Sequence, residues 1–129
     1  VIYIVINLAP IMAATLLGLA IGLIWLRASG ILLPGWRTFA GAALAEFWLA
    51  AILAGALILA PPQASPWVMA VGSAVVIWIG FVVPVLGVTL AVYGMNARQA
   101  ASAALHWLVV MAGQAALMQA IGLAPPPGA

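Results

Sequence analysis

The stretch Trp67–Tyr93, WVMAVGSAVVIWIGFVVPVLGVTLAVY, contains no acidic, basic or histidine side chain. Water offers such a segment no favourable surface, whereas lipid accepts it provided that its backbone hydrogen bonds are made internally, as in a helix. Crossing the hydrocarbon core takes about 20 residues, and this stretch exceeds that. Pro84 stands in its interior, where it removes one backbone hydrogen bond and crowds the preceding turn. A membrane-spanning helix with a kink between Gly80 and Pro84 is therefore expected.

Working outward, three further apolar stretches have the same character, at about 4–26, 39–60 and 99–123. Over the whole chain of 129 residues only 3% are charged, where soluble domains carry about a quarter. The connections read as turns: Ala28-Ser29-Gly30 with Leu33-Pro34-Gly35, then Pro61 to Pro66, then Gly94 to Ala97. Short connections make consecutive helices antiparallel neighbours. The expected fold is all-α, an integral membrane four-helix bundle with short loops, forming one domain over 1–124. The Pro-rich tail 125–129 cannot continue a helix and is expected to be extended and mobile. Val1–Leu8 is apolar but lacks a basic region and a cleavage site, so it does not read as a signal peptide.

The ionisable residues are Arg27, Arg37, Arg98, Glu46 and His106, apart from the tyrosines. The arginines are dispersed, which excludes the clustered basic footprint of a nucleic-acid binder. Without cysteine there is no disulfide framework, thiolate nucleophile or Cys-ligated metal. All three arginines fall on one side of a four-span topology, around the first and third connections. The positive-inside bias then places those loops in the cytoplasm and both termini in the periplasm. Trp25 and Trp36, with Tyr93, read as anchors at the cytoplasmic edge, and Tyr3 and Trp67 at the outer one.

Helices in lipid approach through small residues. The first span offers Ala14, Gly18 and Gly22 at four-residue spacing, including a Gly-x-x-x-Gly. Such a stripe packs the monomer or, on a sharper reading, docks a partner subunit.

Glu46, the sole carboxylate, lies inside the second span, and an ionisable residue there is a functional candidate because it costs about 2.5 kcal/mol or more at the helix centre. It sits about 12 Å in from Thr38, and His106 about 10 Å in from Gln99, at the helical rise. The two share a level and are expected to face the interior and meet, directly or through one water. Gln99, Ser102, Ala103, His106, Val110 and Gly113 form the inward stripe of the fourth span. Ser102 and His106 are one turn apart, but an in-span serine usually bonds its own helix carbonyl, and no oxyanion hole is legible. His106 is also a chemically suitable axial ligand for haem or bacteriochlorophyll. A metal site is not expected, and neither cofactor is required by the sequence.

Gly18 to Trp25 followed by Leu33-Pro34-Gly35-Trp36, then Gly80-Phe81-Val82-Val83-Pro84 and His106-Trp107-Leu108, resemble the small bacterial membrane proteins of domain of unknown function seventeen-sixty-one. The resemblance implies four spans in a bacterial inner membrane and no established activity. Family members often carry Tyr-x-Pro after the first Trp, where this chain has Leu26-Arg27-Ala28. Three functional classes follow. The first is a non-catalytic accessory or assembly subunit embedded in lipid, packing against a membrane-protein partner or its own copies. The second is a small oligomeric proton-coupled transporter using Glu46. It is similar in size, and in its lone intramembrane Glu, to the small multidrug resistance transporters, although their Glu lies in the first helix. The third is a pigment- or haem-binding subunit using His106. An enzyme is not expected.

Overall fold

The computed structural model describes residues 2–128; Val1 and Ala129, the outer limits of the expected domain and tail, lie outside the described residues. The fold is the expected all-α bundle of four long apolar helical spans. It comprises α1 (Ile2–Ile6), α2 (Leu8–Ala28), α3 (Trp36–Leu59), α4 (Pro66–Ile77), a π turn (Trp78–Val82), α5 (Val83–Val92) and α6 (Ala97–Ile121). α4, the π turn and α5 run on as one span, Pro66–Val92.

Proline writes both irregularities. Pro10 has no N–H to offer the carbonyl of Ile6, and the helix breaks at Asn7 between α1 and α2. The expected kink at Gly80–Pro84 takes the form of a π turn, in which the Val83 N–H reaches back to the Trp78 carbonyl. Pro84 then occupies the start of α5, where a missing N–H is tolerated. α3 begins three residues and α6 two residues before the expected start, at Trp36 and Ala97. At α6 the reason is a reciprocal cap: Asn96 accepts from the Gln99 N–H, while the Gln99 side chain accepts from the Asn96 N–H. Ser65 caps α4 by accepting from the Val68 N–H, with Pro66 in the first turn.

The two ends of the bundle are named here by composition. The arginine end carries Arg27, Arg37 and Arg98; the proline end carries Pro61, Pro62 and Pro66. Every buried residue lies from the proline end up to Gly18 on α2, Glu46 on α3, Ala74 on α4 and Val110 on α6. The core there is Ile11, Ala14, Ala50, Ala51, Leu53, Ala54, Ala74, Met111, Ala115 and Met118. Alanine dominates because close backbone approach, and not water exclusion, holds helices together in lipid.

Polar clamps close the same end. Tyr3 donates its hydroxyl to the Ala51 carbonyl at 3.1 Å. Gly122 ends α6 at φ +95°. Beyond it, Ala124 bonds Asn7 both ways: its N–H donates to Asn7 Oδ1 at 2.7 Å and its carbonyl accepts from Nδ2 at 2.8 Å. These two bonds fasten the end of the expected domain at Ala124, just before the Pro-rich tail.

Towards the arginine end the bundle loses its fourth wall. α4 touches both α3 and α6, but after the π turn α5 touches α6 and not α3. The π turn itself is fastened to α6, with Trp78 Nε1 donating to the Ala104 carbonyl at 2.8 Å.

Candidate functional site

Where the wall is missing, α2, α3, α6 and the first and third loops enclose a cavity of about 850 Å³. The third span contributes no lining residue. Glu46, Gly18 and His106 all line it, and Arg98 and Ser29 lie among its residues at the arginine end.

Glu46 is 4% exposed and its partner is Gln114, not His106. Gln114 Nε2 donates to Glu46 Oε2 at 2.9 Å and also to the Ala14 carbonyl at 3.3 Å. Gly18 makes this possible. A Cβ at that position would overlap Glu46 Oε2 and stand 2.8 Å from Gln114 Nε2. Ala14 and Gly18 thus form the seat of an intramolecular polar contact across three helices. Glu46 Oε1 accepts no bond from the described residues and is not sealed from the cavity.

His106 lines the same cavity as Glu46 and makes no direct hydrogen bond to it, so the direct form of the expected contact is absent. Its Nε2 is buried without a hydrogen-bond partner and lies 3.6 Å from where a Cβ at Gly22 would be. The ring packs against Trp25 and Trp107, with centroid separations of 5.6 and 5.1 Å. Depth counted along two helices gives a common level, whereas the Glu46 side chain bonds Gln114, two turns beyond His106 on α6.

Trp25, read from the sequence as an anchor at the membrane edge, also makes a contact within the bundle. It is half-buried, and its Nε1 donates to Ser102 Oγ at 3.3 Å, so Ser102 acts as an acceptor from α2. Trp36 is exposed, and Arg37 lies over its ring at 5.4 Å. Arg27 is exposed at the end of α2, and Arg98 is exposed at the cavity rim. Gln114 is a residue of this site that the reading of the fourth span above did not single out. Its signal was its place one turn below Val110 on the inward stripe.

A haem or bacteriochlorophyll axial ligand needs a ring nitrogen open to the macrocycle. Nε2 of His106 is shut against α2 instead, so this arrangement does not fit a porphyrin at that atom. No family model matches the chain, and neither a curated protein nor a solved structure matches it.

Proposed function

We propose that this multi-spanning membrane protein is a non-catalytic binding protein that carries a small molecule through its one-sided cavity, working as a small oligomeric transporter. The observation that supports this reading is the cavity itself, which lies towards the arginine end and reaches a carboxylate with one oxygen unbonded. A pocket of about 300–1,000 Å³ suits a drug-sized ligand. An enzyme is disfavoured by the chemistry present, since the one carboxylate is held by an amide and Ser102 is engaged by Trp25. The arginine distribution supports a cytoplasmic mouth.

A ligand panel on the purified protein, read by thermal shift and then by uptake into proteoliposomes, tests the reading. Compounds should stabilise the wild type and fail on Ala42→Trp, which fills the cavity from α3. If no compound separates the two proteins, the cavity is not a binding site.

A second reading, an accessory or assembly subunit, is favoured by α5, which has no buried residue and touches only α6 and the π turn. Purification from native membranes in gentle detergent, with mass spectrometry and an absorption spectrum, should then yield a stoichiometric partner lost in Val88→Trp. A colourless protein free of partners ends that reading and the pigment one together.

A further inference from the structure

One bond fixes the register of α2 against α6, from Trp25 Nε1 to Ser102 Oγ at 3.3 Å. The two helices run antiparallel, so one turn towards the arginine end brings Ser29 level with Arg98. Both residues line the cavity, as does Gln99 beside them. Gln99 is tied to the Asn96 N–H through its side-chain oxygen, which leaves its Nε2 to donate. Arg98 has no carboxylate at hand, because the sole acidic side chain, Glu46, is held by Gln114. Three donors, one of them charged, therefore meet at the cavity rim.

Below the rim the lining turns apolar, with Leu19, Leu23 and Leu26 from α2, Phe39 from α3 and Trp107 from α6. From Ser29 to Gly18, the deepest lining residue on α2, the helical rise gives about 16 Å. Half of a bilayer's hydrocarbon core is about 15 Å. The cavity thus has the depth of one leaflet, with donors where headgroups lie and hydrocarbon beneath them. The third span does not cover it: that span lends no lining residue, and α5 touches α6 without touching α3.

An occupant has to match both parts. A free phosphate ion uses the donors and gains nothing from the walls. A neutral hydrocarbon fills the walls and leaves Arg98 without a counter-ion. An organic cation meets Arg98 with like charge. An anionic phospholipid satisfies both parts, because basic groups at the cytoplasmic ends of spans attract such headgroups. Its chain also restores the dispersion contacts that apolar walls forfeit around a void.

We propose that the cavity takes one acyl chain of an anionic phospholipid from the surrounding leaflet. The phosphate sits at Arg98, Ser29 and Gln99, and the chain runs along Leu23, Leu26 and Phe39 towards Gly22. No polar contact of the lipid involves Glu46. This names the ligand class for the binding reading above and rests on it.

The test is native mass spectrometry of the purified protein in a neutral detergent, titrated with phosphatidylglycerol and, separately, with phosphatidylcholine of the same chains. One phosphatidylglycerol should be retained saturably, about fivefold more tightly than phosphatidylcholine, as one basic residue near an anionic headgroup contributes. Arg98→Gln should remove that preference, and Ala42→Trp should remove the retained lipid. The comparison of the two lipids on the wild type needs no variant to fold. Equal retention of both lipids, or a preference unchanged in Arg98→Gln, overturns the headgroup selection and leaves the cavity as a binding site. Complete displacement by glycerol phosphate marks a soluble phosphate as the ligand and overturns the part played by the chain. Retention unchanged in Ala42→Trp puts the lipid outside the cavity and overturns this proposal, as does no saturable retention of either lipid. In those two cases the ligand panel on the wild type and Ala42→Trp still decides whether the cavity binds anything, so the two failures are told apart.

Discussion

The two halves of the bundle are built from the same kinds of residue and end differently. At the proline end Ala14, Ala50, Ala51, Ala54, Ala74 and Ala115 are fully buried, and helices meet at their backbones. At the arginine end Gly22, Ala42, Ala45 and Ala103 are as small, yet they border empty space. Small residues permit contact without enforcing it. What differs is the fastening of α3. Its cross-helix side-chain bonds, from Tyr3 to Ala51 and from Gln114 to Glu46, begin at Glu46 and lie towards the proline end. At the other end the bonds run from α2 or the π turn to α6, and none reaches α3.

The largest expected difference between the halves is chemical access. The chain contains no cysteine, so single cysteines can be introduced without background. In detergent, a polar maleimide should modify Ala45→Cys and Ala103→Cys nearly completely, and Ala54→Cys and Ala115→Cys hardly at all. Equal rates at all four positions would erase the distinction between a closed half and an open one.

Stability should follow the same division. Leu53→Ala removes a side chain that is 1% exposed in the closed half and should cost about 3 kcal/mol. Phe39→Ala, at the open end, should stay within about 0.5 kcal/mol, as for surface sites. Reversible unfolding in mixed micelles would show whether the two losses differ.

Glycine replacement sharpens the contrast because its sign should reverse. Gly18→Ala pushes against Glu46 and Gln114 and should destabilise by about 2 kcal/mol. Gly87→Ala meets nothing within 4 Å and should gain up to about 1 kcal/mol from helix propensity. A stabilising Gly18→Ala would show that the seat at Glu46 is looser than its geometry implies.

The spans and turns were legible because lipid permits so few alternatives: length and the absence of charge suffice for Trp67–Tyr93. Rotational phase was not. Helices that are apolar all round carry little amphipathic signal, so only polar and small residues report which face is inward. In the structure Glu46, Gly18 and His106 line one cavity. Spacing along the helices does not say that Gln114 is the residue that bonds the carboxylate. Nor could the sequence announce the missing wall, since that follows from where the π turn redirects the third span. The contact of Trp25 with Ser102 was illegible for a related reason, as an indole near a span end is equally suited to the interface and to a half-buried donor.

The smallest predicted effect tests whether α1 holds the closed half or merely rests on it. Tyr3 lies against Gly55, where a Cβ would stand 3.0 Å from its hydroxyl oxygen, and donates to Ala51. Tyr3→Phe keeps the ring and removes the donor. The Ala51 carbonyl lies inside α3, where the helix supplies its own hydrogen bond, so no acceptor is orphaned. Interhelical hydrogen bonds in membranes contribute about 0.6 kcal/mol on average, and that is the loss expected on unfolding. A loss several times larger would make this latch the main fastener between α1 and α3. Maleimide access at Ala54→Cys should then rise in the Tyr3→Phe background, and the closed half would owe its closure to one hydroxyl more than to its alanines.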